Sequence, residues 1–482
     1  MKIGNSDDFY AHRYIRHDKV TGSLCYYSAH WPDKRNVRFF LDAGSKQGED
    51  DDKTFNSFIP FDIHKASFGI ITHNHLDHVG LLPVAVRQEF NGKIYMSYAT
   101  ASLIDITLYG AASIVDDVSK TTLCNSKDVE KTLKQVVGCR IGKVIHPAKD
   151  ITITFFPNGH IVGAVMVLIE ITCPGREPIR IWHTGDYKPD NIFFDVEKPP
   201  LDVSNMKISN TVCESTYGDV DSTDPRFNKC LEKNTAEAIK NGMTVIFPTF
   251  AEDRHQRVLY YIKTWKERGI IPKDTPVVVD GRNSQEYNRR YKYMDLGIKN
   301  EMKDFMPKDV YTVSAPCSST SSRKKFFGSE PKIILAPSGM GDHGAITCYL
   351  KEYIPRSDAL IHSLGYCSPS SIMYKLLNTP KGERIRFCGE DYTVRCMTAK
   401  TSELSSHAQR DQLLELLQSF PNNQSISINH GEKDVQLKFR EYLLENLDLP
   451  EDQIITANPD IGVRIESSGI TGLFKTKFQP VF

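Results

Sequence analysis

The sequence predicts an α/β protein built of layered sheets, with a second α/β domain that has a parallel sheet of its own. Three observations carry this. Between residues 36 and 215 short apolar segments read as strands, and several of them end on a histidine, an aspartate or a glutamate. Near residue 216 the character changes to helices alternating with Val/Ile-rich strands, the pattern of a separate parallel sheet. Near residue 388 strand signals return, followed by two segments that each carry a turn histidine and then an amphipathic helix. At 482 residues the chain exceeds one ordinary core, so more than one domain is expected. The expected boundaries are 1–215, 216–387 and 388–482.

The elements follow in order. "VRFFLDAGS" is a strand ending in Asp42 and Gly44, and residues 66–71 form a short buried strand. "HVGLLPVAVRQEF" has apolar spacing closer to a helix, interrupted near its start by Pro83. "YATASLIDITLYGAASIV" is a helix, and "SKDVEKTLKQV" is another with Ser126 as its N-cap. "ITITFFPNGHIVGAVMVLIEI" gives two strands around a turn at Gly159-His160. "PIRIWHTGDYKPD" gives a strand stopping at Gly185-Asp186, and "MKISNTVCESTYG" one stopping at Glu214. In the second region "RFNKCLEKNTAEAIKN" and "AEDRHQRVLYYIKTWKERG" are helices. The strands there are "MTVIFPTF", "PVVVDG", "PKIILAPSGM", "DALIHSLGY" and "RIRFCGE".

Composition narrows the class. The chain is 40% hydrophobic and 25% charged, with 60 basic and 60 acidic residues. A neutral total means that any nucleic-acid site is a local patch, not a bulk property. The polar, acid-containing amino terminus does not read as a signal peptide, and runs such as "GAVMVLI" are too short to cross a bilayer. Eleven cysteines without a C-x-x-C pair suggest reduced thiols and a cytoplasmic location, and argue against a cysteine zinc site.

The stretch "IITHNHLDHVG" places three histidines and an aspartate within six positions, on the loop leaving a strand. Side chains two apart in extended chain point the same way, so His73 and His75 can face one metal. Asp77 and His78, at the turn into a helix, can aim at a second position nearby. Imidazole and carboxylate are the ligands of catalytic zinc.

With these stretches in order, the sequence resembles the β-CASP nucleases of the metallo-β-lactamase superfamily over nearly its whole length. Asp42 in "FLDAGS", "THNHLDH", His160 in "NGHIVGA" and Asp186 in "HTGDY" match the four superfamily motifs. Glu214 in "CESTYG", His407 in "ELSSHAQ" and His430 in "INHGE" resemble the β-CASP motifs A, B and C. The resemblance implies an αββα metallo-β-lactamase sandwich in two parts, 1–215 and 388–482, with an inserted α/β β-CASP domain at 216–387. It implies two zinc ions per chain. His73, His75 and His160 would hold the first and Asp77, His78 and His430 the second, with Asp186 bridging. Asp42 would orient ligand histidines without binding metal. His407, poised by Glu214, would protonate the leaving sugar oxygen.

The implied activity is hydrolysis of RNA phosphodiester bonds by an endonuclease, with 5′–3′ exonuclease action left open, in RNA processing or decay. The alternatives are a DNA repair nuclease of the same superfamily and a non-catalytic scaffold of a processing complex. Histidine at motif C favours RNA, and the full ligand set disfavours the scaffold. The implied partner is single-stranded RNA, with no membrane, and assembly is expected as a homodimer or within a processing complex. Ser405, Ser406, His407, Ser338 and Arg254 are the candidate substrate contacts, the first through amide groups at a helix start. Arg257, Lys324 and Lys325 are further candidates for phosphate. The sequence departs from the family at Gln409, where aspartate is common, and at His343, near a position commonly glycine. No RNA-binding appendage is expected at either end.

Overall fold

The computed structural model describes residues 9–47, 52–113, 123–313, 321–365 and 367–476. It divides into two compact units, residues 1–222 with 406–482, and residues 223–405.

The first unit is a four-layer αββα sandwich. One sheet has eight strands, in the order Gly469–Lys475, Ile461–Glu466, Tyr10–Ile15, Cys25–His30, Asn36–Leu41, Phe68–Ile70, Lys93–Ser97 and Val136–Cys139. The other has seven: Ile454–Thr456, Ile426–Ile428, Asn210–Cys213, Ile179–His183, Val165–Ile171, Ile151–Pro157 and Val144–Ala148. Alternation in Ile151–Pro157 sends Ile151, Ile153 and Phe155 inward and leaves Thr152 and Thr154 partly exposed. Between the sheets these residues meet Tyr27, Phe39 and Phe68. Tyr27 stacks on Phe39 at 5.0 Å and Phe39 on Phe68 at 4.9 Å, an aromatic ladder across neighbouring strands. Truncating the central Phe39 to alanine would cost about 3–5 kcal/mol.

Helices cover both outer faces. Leu82, Val84 and Val129 pack on Ile94 and Met96 of the first sheet. Leu413, Leu417 and Phe439 pack on Trp182, Cys213 and Ile428 of the second. The helix expected over 98–115 is two helices, Tyr98–Ala101 and Ile104–Ser113, and its last two residues lie outside the described ones. The next helix, Ser126–Leu133, is capped by Asn125, whose side chain accepts from the Asp128 amide, and not by Ser126.

The second unit holds a parallel six-stranded sheet, in the order Val310–Val313, Val277–Asp280, Ile333–Ala336, Thr244–Pro248, Ala359–Ser363 and Met397–Lys400. "RIRFCGE" does not join it: Arg384–Phe387 pairs antiparallel with Glu390–Thr393 as a separate hairpin. The strand signal after residue 388 is partly the sheet's edge strand, Met397–Lys400, so this unit runs on to residue 405. Among the described residues no helix is long and apolar enough to cross a membrane.

Candidate metal centre

The carboxyl ends of parallel strands bring the chemistry-bearing residues together. Ile179–His183, Asn210–Cys213 and Ile426–Ile428 are parallel neighbours, and their exits carry Asp186, Glu214 and His430. Asn36–Leu41 and Phe68–Ile70 are also parallel, and their exits carry Asp42 and His73. Open α/β sheets place ligands at such ends because the loops there are free to project side chains. Asp42 and His430 both have positive φ, 59° and 49°, a conformation costly for residues with a Cβ. At Asp42 the cost is offset by hydrogen bonds: its carboxylate accepts from the Thr72 amide at 2.8 Å and from the Thr72 hydroxyl at 2.9 Å.

Two groups of donor atoms result. In one, His73, His75, His160 and Asp186 offer atoms all within 4.8 Å of one another; in the other Asp77, His78 and His430 do so. Asp186 Oδ2 lies 3.6 Å from His73 Nε2, 3.3 Å from His78 Nε2 and 3.7 Å from His160 Nε2, while Oδ1 lies 3.4 Å from His430 Nδ1. One carboxylate therefore reaches into both groups.

The outer hydrogen bonds fix which ring nitrogen points inward. His78 Nδ1 donates to Asp42 at 2.7 Å, and His160 Nδ1 donates to the Ser406 carbonyl at 2.8 Å. Their Nε2 atoms then face His430 Nε2 at 3.4 Å and His75 Nδ1 at 2.9 Å. His73 is fully buried and its Nε2 has no hydrogen-bond partner. A buried lone pair without a donor costs about 1–3 kcal/mol, which a cation at that point relieves. The donor set fits a metal on this observation.

Electrostatics agree for the first group. Burial, together with the neighbouring histidines, holds His73 and His160 well below the usual imidazole range, and burial brings His75 down to about 4. These rings are neutral and can ligate at physiological pH. In the second group, burial would lower His78 and His430, but Asp186, with Asp42 at His78 and Asp77 at His430, lifts both above the usual imidazole range, so these rings give up a proton when they ligate. Burial alone would raise Asp186, but His430, His78 and His73 around it keep it well below the usual carboxylate range.

His407 stands at the edge of this cluster, its ring 4.7 Å from that of His160 and 5.8 Å from that of His430. Its Nδ1 donates to Glu214, 3.0 Å from Oε2 and 3.2 Å from Oε1. Glu214 is buried and also accepts from the Tyr187 amide. That carboxylate turns Nε2 of His407 away from itself, toward the centre. His407, Asp186 and His430 also form a third close group of donor atoms, so position alone does not separate His407 from a ligand.

The remaining expectations divide. Ser405 and Ser406 are buried, and the helix after them begins at Arg410 behind the N-cap Gln409, so their amides are not at its first turn. Arg257 is buried and paired with Asp253 at 2.8 Å, which removes it as a phosphate contact. Lys324 and Lys325 are exposed. Arg254 is half-buried beside Phe250, its guanidinium carbon 5.0 Å from the ring centroid. The Ser338 hydroxyl is buried without a partner. His183 is a buried residue held by the Tyr27 hydroxyl at 2.5 Å.

Sequence reasoning missed Thr72, Thr216 and Lys188. Thr216 Oγ1 lies 3.1 Å from His430 Nδ1. Lys188 Nζ donates to the His407 carbonyl at 3.3 Å and to the side-chain oxygens of Gln409 and Gln412 at 3.3 and 3.2 Å. Thr72 and Thr216 lie inside the quoted stretches "THNHLDH" and "CESTYG", and Lys188 follows Asp186 by two residues, which is the signal they gave. Gly44 is a further constraint: a Cβ there would lie 1.5 Å from the Asp77 carbonyl oxygen. Gly44→Ala is thus expected to displace the Asp77–His78 turn. Elemental analysis should find less bound metal, and the thermal midpoint should fall; wild-type metal content in the variant would refute the link.

Comparison with known proteins places these features in one family. Residues 255–376 match the model of the Beta-Casp domain, and residues 391–453 match the Zn-dependent metallo-hydrolase RNA specificity domain. The chain is 28% identical over 421 residues to transcription termination factor FttA of Methanothermobacter thermautotrophicus, covering 82% of this chain and 64% of that protein. It is 27% identical over 429 residues to ribonuclease TTHA0252 of Thermus thermophilus, covering 86% of this chain and 91% of that one. Integrator complex subunit 11 of Gallus gallus is 24% identical over 452 residues, 88% of this chain and 71% of that protein. The chain spans about two thirds of the FttA relatives' length and most of the Thermus protein. With both domain models matched in the expected order and the motif residues gathered at one site, the chain belongs to the β-CASP family of the metallo-β-lactamase superfamily.

Proposed function

We propose that this protein is a two-zinc ribonuclease that hydrolyses phosphodiester bonds of single-stranded RNA, leaving a 5′-phosphate and a 3′-hydroxyl. The carrying observation is the Glu214–His407 pair on the edge of a centre with seven converging donors. In this reading His73, His75 and His160 would hold one zinc and Asp77, His78 and His430 the other, with Asp186 shared between the two groups. When bound, a zinc pair supplies Lewis acidity, polarising a phosphoryl oxygen and making water acidic enough to attack near neutral pH.

The chain's own residues do the rest. Asp42 and Thr72 keep His78 and His73 aimed inward. Glu214 keeps the Nδ1 proton of His407 engaged, so Nε2 is the atom that gives a proton to the departing 3′ oxygen. His407, with 16% of its side chain exposed, is more open than Glu214 at 1%. That ordering suits an acid that must reach substrate and a positioning carboxylate that need not. The Thermus relative's name as a ribonuclease supports RNA as the substrate, as does the RNA specificity domain match. The Integrator relative's name supports work within a larger complex.

The test is digestion of 5′- and 3′-labelled RNA and DNA of one sequence by the zinc-loaded protein. RNA is expected to be cut faster than DNA, and the two labels report endonucleolytic against 5′–3′ cutting. Salt must be matched, since backbone affinity falls steeply with ionic strength. Equal or faster DNA cleavage would assign the protein to DNA repair instead.

A further inference from the structure

Arg13 is 3% exposed, on the strand Tyr10–Ile15, and its side chain enters the sandwich between the two sheets. Its Nε and one terminal nitrogen have no hydrogen-bond partner. It donates a hydrogen bond to the Tyr27 hydroxyl, and its neighbours between the sheets, Cys25, Tyr27 and His183, carry no charge. Burial pushes the Cys25 thiol up to about 12, lifts the Tyr27 hydroxyl well above its usual range and brings His183 down to about 3. A guanidinium keeps its charge under all ordinary conditions. Burying such a cation without an anion opposes folding.

The same arginine lines a cavity of about 360 Å³ at the edge of the sandwich, within the usual size range of small-molecule sites. Ile15 and Val463 of one sheet and Ile454 of the other form apolar walls, while Arg440, Glu451 and Asp452 also line it. Arg440 is committed to the Ile454 carbonyl at 2.7 Å and to Glu451 at 3.2 Å. Arg13 is therefore the cation left for an occupant. The apolar walls select a hydrocarbon body, and the two carboxylates disfavour a second negative charge.

We propose that this cavity is a binding site for a small monocarboxylate with an aliphatic body, its carboxylate on Arg13 and its chain between Ile15, Val463 and Ile454. Nothing in the metal centre is used, so the site stands or falls independently of the ribonuclease reading.

Hexanoate is a suitable probe, with 1-hexanol as its uncharged counterpart and inorganic phosphate as a dianion. Hexanoate at about 20 mM should raise the thermal midpoint by at least about 2 °C over sodium chloride of equal ionic strength. Hexanol and phosphate should not. Arg13→Met should raise the midpoint without ligand, because it removes the unpaired charge, and should weaken hexanoate binding at least tenfold by calorimetry. Ile461→Trp, at the half-buried rim of the cavity, should block binding while leaving Arg13 in place. This keeps the idea testable if the first variant fails to fold. Zinc content and RNA cleavage should be unchanged in a folded variant. The proposal is overturned if hexanoate gives no shift, if phosphate matches or exceeds it, or if either folded variant binds hexanoate as well as wild type.

Discussion

Asp186→Ala is expected to purify folded but with fewer than two zincs per chain, and to cleave RNA about 10³-fold more slowly or worse. The magnitude follows from losing several kcal/mol of charge stabilisation at the reacting phosphate. Asp186 is the informative position because its two oxygens face four histidines, three through Oδ2 and one through Oδ1. Asp77 belongs to one group, with His78 and His430, and lies 3.7 Å from His430. Asp77→Ala should accordingly lose one metal and retain most of the other. Elemental analysis of the two variants beside wild type tests this ordering, and circular dichroism checks the fold. Full activity in a folded Asp77→Ala protein would end the two-metal mechanism. A strong chelator should also lower the thermal midpoint of wild type. Stripped of metal, the buried donors face one another, with His73 Nε2 left unpaired.

What could be read in advance was local. The loop from His73 to His78, the Gly-flanked His160 and the strand-end acids Asp186 and Glu214 each announce themselves within a few residues. The parallel strands then deliver them to one edge of the sandwich. The failures concerned which group pairs with which. Arg257 looked like a free cation because its partner Asp253 is four residues back, at a positive φ that no propensity signals. Arg384–Phe387 has the alternation of a sheet strand, yet it pairs with its own hairpin partner while Met397–Lys400 takes the sheet edge. Periodicity identifies a strand but not its partner. At motif B the sequence shows a glutamine where an acid is common. Only the structure shows that Gln409 caps the following helix and takes a hydrogen bond from Lys188. The same lysine donates to the carbonyl of His407, so the departure is accommodated by a lysine more than two hundred residues away in sequence.

Replacing His407 tests the chemistry rather than the metal. His407→Ala should keep two zincs, bind RNA as wild type does, and cleave about 10²–10⁴-fold more slowly, the usual worth of general acid–base catalysis. The metal measurement matters because His407 shares a close donor group with Asp186 and His430. A ligand role would show as lost zinc. The leaving-group experiment then separates a proton donor from a residue that merely shapes the site. A bridging 3′-thio linkage departs without needing a proton, so it should restore much of the rate in His407→Ala. It should not do so in Asp186→Ala, where the deficit is in charge stabilisation. Glu214→Ala should give a milder version of the His407→Ala phenotype, with the same direction of rescue, since a carboxylate 3.0 Å from Nδ1 positions the ring without touching substrate. Glu214→Gln, which retains an acceptor oxygen for that Nδ1 proton, should recover part of the rate lost in Glu214→Ala. If His407→Ala loses a zinc, or the thio substrate gives no selective rescue, the proton donor lies elsewhere and the role drawn here for the Glu214–His407 pair is wrong.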